Sequence, residues 1–160
     1  MLLSRIMQKL VLVAMLALPA TGCDSQACTL IGCGAGFLVD FQRAAWTPGS
    51  YKVAVVADGD AIECTAELPL NCDASLACPG ASNVLLILDG CAVDPSKHRI
   101  VGIEFEEGFA PKAVEVRVFQ DDMLLGEGTY MPEYSESFPN GPDCGSACVS
   151  AESVVLALSE

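Results

Sequence analysis

From residue 36 onward apolar and polar positions alternate in short runs. GFLVDFQ puts Phe37, Val39 and Phe41 on one side, and YKVAVVA does the same with Tyr51, Val53 and Val55. AIECTAEL sets Ile62, Cys64, Ala66 and Leu68 against Glu63, Thr65 and Glu67. RIVGIEFE aligns Val101, Ile103 and Phe105, and AVEVRVFQ aligns Val114, Val116 and Val118. MLLGEGTY and SVVLAL complete the series, while VLLILD, apolar on both faces, reads as a central strand. A period of two is the signature of half-buried strands, and no window of this region carries a helical period. About eight short strands divided by polar turns predict a single antiparallel β-sandwich of immunoglobulin-like or transthyretin-like architecture, spanning residues 36–160.

The turns carry their own signals. Asp58-Gly59-Asp60 reads as a hairpin turn, and Asp121-Asp122 turns the chain between two strands. Pro48-Gly49-Ser50-Tyr51-Lys52-Val53 resembles a strand opening common in immunoglobulin-like and transthyretin-like modules. There the tyrosine hydroxyl reaches back to nearby backbone, as in a tyrosine corner. Tyr51 falls near the second strand and Trp46 precedes the turn, so the likeness is one of architecture. The connection from Met131 to Ala151 is long for a compact domain. It reads as a disulfide-clipped crossover between sheets. The alternative is a partner-binding loop anchored by Tyr130, Tyr134 and Phe138, because aromatic side chains dominate interface energetics.

The first 22 residues follow a different pattern. Arg5 and Lys9 precede a nine-residue apolar core, Leu10 to Leu18, and small residues follow. This is the form of a secretory signal peptide, and the apolar run is about half of what a membrane span needs. Ala20-Thr21-Gly22-Cys23 resembles the lipobox of bacterial lipoproteins, in which the cysteine becomes the first mature residue and carries acyl chains. That resemblance implies a signal peptide over 1–22, a lipidated tether over 23–35, and attachment to membrane lipid through Cys23.

Cysteine counting agrees with it. Nine cysteines are present, and assigning Cys23 to lipid leaves Cys28, Cys33, Cys64, Cys72, Cys78, Cys91, Cys144 and Cys148. An even set in an exported chain is expected to form disulfides. Eight cysteines allow 105 pairings. The expected set joins Cys64 to Cys91 across the core and Cys72 to Cys78 in a tight loop. Cys28 and Cys33 then take Cys144 and Cys148 in either order. The C-x4-C, C-x5-C and C-x3-C spacings do not match the C-x2-C knuckle of zinc ribbons or thioredoxin-like redox sites, so neither metal nor cofactor is expected.

Charge narrows the partners. Loss of residues 1–22 removes Arg5 and Lys9, two of the eight basic residues, and none of the 21 acidic ones, taking the formal charge from −13 to −15. Such a surface repels phosphate backbones, which excludes nucleic acid as a partner.

Candidate chemistry is sparse. His98 is the only histidine, flanked by Lys97 and Arg99, and reads as a surface residue rather than a catalytic base. Asp58, Asp60 and Glu63 lack the full set of oxygens of a calcium loop and fit the hairpin turn better. No catalytic residue is assigned.

Beyond the lipobox, CTLIGC, PGSYKVAVVADGDAIECTAELPL and FPNGPDCGSAC resemble cysteine-rich lipoproteins of myxobacterial type. The resemblance covers most of residues 23–150, and its most specific piece is Phe138 to Cys144. It implies export, anchoring and a β-rich fold, and it transfers no activity. The expectation is a lipid-anchored envelope lipoprotein facing periplasm or exterior, acting as a non-catalytic binding or structural module with an envelope protein as partner. Its rivals are a carboxylate-based extracytoplasmic hydrolase and a calcium-dependent adhesin.

Overall fold

A computed structural model describes residues 28–72 and 78–160; the signal segment and Cys23 lie outside the described residues. The described residues form ten strands. They are β1 (Phe37–Gln42), β2 (Gly49–Ala57), β3 (Asp60–Leu68), β4 (Val84–Asp89) and β5 (Arg99–Phe105), followed by β6 (Val114–Gln120), β7 (Met123–Tyr130), β8 (Ser135–Ser137), β9 (Cys148–Ser150) and β10 (Val154–Ala157). One four-stranded sheet has the order β10-β1-β5-β4, a second has the order β3-β2-β6-β7, and β8 and β9 form a small ribbon. The eight runs of alternating or apolar residues are the eight strands of the two larger sheets.

Alternation dictates how the sheets pack. Phe37, Val39, Phe41, Leu86, Ile103 and Phe105 of the first sheet and Tyr51, Val53, Val55, Val114, Val116 and Val118 of the second belong to one buried cluster. Each such side chain contributes roughly 1.5–3 kcal/mol on burial. The result is a sandwich-like, nearly all-β fold.

Two strands depart from expectation. β10 pairs parallel to β1, Val39 opposite Val154 and Phe41 opposite Leu156, so the first sheet is mixed rather than wholly antiparallel. VLLILD is an edge strand, not a central one. Its second apolar face is explained by the outer surface of the first sheet. There Leu38, Leu85, Ile87 and Val155 project outward with Asp40 and Glu104, and Leu85 and Val155 are exposed. The second sheet's outer surface instead carries Lys52, Glu63, Thr65, Glu67, Glu115, Arg117, Glu127 and Thr129.

Both two-residue hairpins use left-handed backbone. Asp58 and Gly59 join β2 to β3 with φ of 49° and 96°, and Asp121 and Asp122 join β6 to β7 with φ of 46° and 66°. Positive φ at both positions matches the right-handed twist of the flanking strands. The Asp58 carboxylate also accepts from Lys112 N and Ala113 N at 2.9 Å, tying this turn to the start of β6.

The sheets meet at two poles. At one, Phe37 at the start of β1 packs edge-on against Tyr130 at the end of β7, with ring centroids 6.3 Å apart. At the other, Leu158 N donates to Gln42 O and Ser159 N to Leu125 O, so the residues after β10 bridge β1 to β7.

Candidate functional site

Four disulfides brace the fold. Cys28–Cys144 and Cys33–Cys148 span 116 and 115 residues and hold the segment before β1 against the connection after β7, as expected in outline. The expected Cys64–Cys91 and Cys72–Cys78 links are not formed. Cys64 bonds Cys78 and Cys72 bonds Cys91, an interleaved pair. Cys64 faces the core with no exposure, as its place in the alternation requires. Its partner is Cys78, which packs against that same core, while Cys91 stays exposed at the far end of β4.

The stapled pole is further tied by polar bonds. Asn140 Oδ1 accepts from Thr29 Oγ1 at 2.7 Å and from Ile31 N at 2.8 Å, and Asn140 Nδ2 donates to Ile31 O at 2.8 Å. The Met131–Ala151 connection is thus not structureless, since it contains the β8–β9 ribbon and a turn in which Gly141 N donates to Phe138 O. The three aromatic residues expected to anchor a partner, Tyr130 at the end of β7 and Tyr134 and Phe138 within the connection, do not converge outward. Tyr130 packs on Phe37, and Tyr134, half-buried, donates its hydroxyl to Pro111 O at 3.2 Å. Burial, assisted by the Asp58 charge, pushes the Tyr134 hydroxyl up to about 12. Phe138 is the one exposed member of the three.

Cys33, Glu107 and Cys148 bring donor atoms within 4.8 Å of one another. The two sulfurs are bonded to each other, so no thiolate is there to bind a cation.

The opposite pole carries a groove of about 960 Å³. One wall is the end of β1 and the chain beyond it, Asp40 to Trp46; the other is the segment Asp89 to Val93 with Ser96 to Val101. Val155 of β10 contributes to the floor. Within β5, Ile87 faces Gly102 and Leu88 faces Ile100, so Val101 is an extra residue in a bulge, and it lines the groove.

The walls are held from below. Tyr51 Oη donates to Thr47 O at 2.8 Å, the tyrosine corner that the sequence suggested. Arg43 Nη1 donates to Tyr51 Oη at 3.1 Å and to Gln120 Oε1 at 3.0 Å, and Gln120 Nε2 donates to Thr47 Oγ1 at 2.8 Å. The guanidinium lies 5.6 Å from the centre of the Trp46 ring, which itself packs on Tyr51. Opposite, Asp94 caps the short 3-10 turn Pro95–Lys97. Hydrogen bonds from the Ser96 side chain and backbone hold its carboxyl below the usual range.

His98 is not the surface residue its neighbours suggested. It is 7% exposed, and its Nδ1 accepts the Leu70 N–H at 2.9 Å, a structural bond that fixes the 68–72 segment to the groove wall. Gly90 permits this approach. A Cβ there would sit 2.8 Å from His98 Cα, and its φ of 117° belongs to glycine.

The molecule so described is a disulfide-stapled, nearly all-β domain of sandwich-like build. Four disulfides fit an oxidising compartment outside the cytoplasm. Among the described residues no helix is long and apolar enough to cross a membrane. No protein-family model matches the chain, and no curated protein or solved structure matches it. The likeness to myxobacterial-type lipoproteins therefore rests on the sequence strings alone.

Proposed function

We propose that the protein is an exported, lipid-anchored binding module of the bacterial envelope, without catalysis of its own. Cys23 carries the acyl chains, the stapled pole faces the membrane, and the groove at the other pole faces away from it. The observation that supports this most directly is the cysteine pairing. All eight cysteines after Cys23 are bonded among themselves, which leaves Cys23 no partner in the body. Cys28 lies five positions after Cys23, a span of at most about 18 Å when fully extended. Acylation at Cys23 would hold the stapled pole within that distance of the bilayer. Two or three acyl chains anchor firmly where one alone binds marginally.

The test is intact-mass analysis of the protein recovered from bacterial membranes, alongside a Cys23→Ser variant. The expected result is a mature chain beginning at Cys23 with added lipid mass, and release of the variant into the soluble fraction. Wild-type protein without lipid mass would overturn the anchor.

A further inference from the structure

The groove concentrates positive charge in a chain that has little of it. Of the six basic residues after Cys23, three line it: Arg43, Lys97 and Arg99. Its lining carboxylates are Asp40 and Asp89, and Asp89 is taken up by Arg99, with Nη2 and Oδ2 2.6 Å apart; Glu160 borders the Arg43 wall, accepting from Ala44 N at 3.2 Å, and the charges of Asp94 and Lys97 act on each other. Among the described residues, neither Arg43 nor Lys97 has an ion-pair partner. Arg43 is held rigidly by neutral groups, and its Nε is buried without a hydrogen-bond partner, although the chain carries 21 acidic side chains. A guanidinium fixed in a partly desolvated wall without an ion-pair partner is suited to an incoming oxyanion. Beside these charges the lining is apolar: Val101 is half-buried, and Val93 and Val155 are 56% and 60% exposed. Basic rim and apolar floor lie side by side, and the volume suits a small molecule.

We propose that this groove binds a soluble anionic amphiphile, its oxyanion head held by Arg43 and Lys97 and its apolar body lying on Val93, Val101 and Val155. This names a ligand class for the outward face assigned above. It rests on that reading for the groove's orientation relative to the membrane and not for binding itself.

The test uses the full chain carrying Cys23→Ser, oxidised and unacylated, with anilinonaphthalene sulfonate as the anionic probe. Trp46 is the chain's only tryptophan and lines the groove, so energy transfer from it to the probe reports occupancy there. Expected are saturable transfer, competition by decanoate, and no competition by uncharged octyl glucoside below its micelle point. Lys97→Glu is expected to weaken probe binding by about tenfold or more, the scale of one charge-assisted contact. Val155→Asp should weaken it comparably. Both side chains are exposed and, among the described residues, form no side-chain hydrogen bond, so circular dichroism should stay unchanged. Binding indifferent to both substitutions, equal competition by octyl glucoside, or attachment to anionic phosphatidylglycerol vesicles without competition by decanoate would each overturn the proposal. Lipid mass on the wild-type chain is read separately, so loss of the anchor and loss of the ligand are told apart.

Discussion

Tyr51 donates its hydroxyl proton to the carbonyl of Thr47, four residues upstream, at 2.8 Å. The same oxygen accepts from Arg43, so one phenol fixes both the strand opening and a groove wall. Tyr51→Phe keeps the ring in the core and leaves two polar groups short of a partner. Unfolding in urea should show a loss of about 1–3 kcal/mol with an unchanged denaturant slope.

His98→Phe preserves much of the buried volume and removes the acceptor of the Leu70 N–H. A loss of about 1–3 kcal/mol is expected, the cost of a buried unsatisfied donor. Hydrogen exchange at Leu70 should accelerate well beyond what global destabilisation accounts for. Unchanged protection of that amide would sink the assignment.

The two hairpins make opposite predictions. Gly59→Ala places a side chain at φ 96° and should cost about 1 kcal/mol. Asp122→Gly relieves a left-handed non-glycine residue at φ 66° and should gain a few tenths to about 1 kcal/mol. Its ion pair with Lys52, 3.7 Å and exposed, subtracts little from that gain. Thermal melts of the two variants should move in opposite directions.

Peptide mapping under non-reducing conditions should recover Cys64 joined to Cys78 and Cys72 joined to Cys91. The Cys64→Ala, Cys78→Ala double variant opens a link of sequence separation 14 and should lose about 3 kcal/mol, the chain-entropy figure for a loop of that size. A map joining Cys64 to Cys91 would contradict the structure directly.

Tyr134 titrates above its ordinary value because burial, and then the Asp58 charge, disfavour the phenolate. The folded state therefore holds this proton more tightly than the unfolded chain. Its contribution to stability is full below about pH 10 and fades as pH rises toward 12. Tyr134→Phe should flatten the stability profile across that window and remove the component titrating near 12 from the tyrosinate absorbance curve.

Strand positions were readable because burial on one face leaves a period of two in the sequence, and both turn signals sit where the hairpins form. The parallel pairing of β10 was not readable. Its partner β1 lies more than 110 residues away, and four residues of local pattern carry no direction. VLLILD was misplaced because an apolar second face reads as burial, whereas Leu85 and Ile87 lie on the outer surface of the first sheet. The observed middle-region disulfides have sequence separations of 14 and 19, and no local pattern marks Cys78 rather than Cys91 as the cysteine that meets Cys64 in the core. His98 left no usable trace: the alternation of Val101, Ile103 and Phe105 puts position 98 outward, and only the bulge at Val101 shifts the register so that Ile100 and His98 turn inward. The groove left none, since residues near 43, 97 and 155 come together only through the fold.

The bonds from Cys28 and Cys33 to the far end of the sequence also decide how the molecule responds to force. A pull arriving from the N-terminal side enters the body through two covalent bridges to residues 144 and 148, not through β1 alone. Tension is shared with the segment leading into β10, which runs parallel to β1, so strand separation by unzipping from the start of β1 is blocked. A domain held at the cell surface under shear would then stretch as a clamped unit until a sulfur–sulfur bond is reduced.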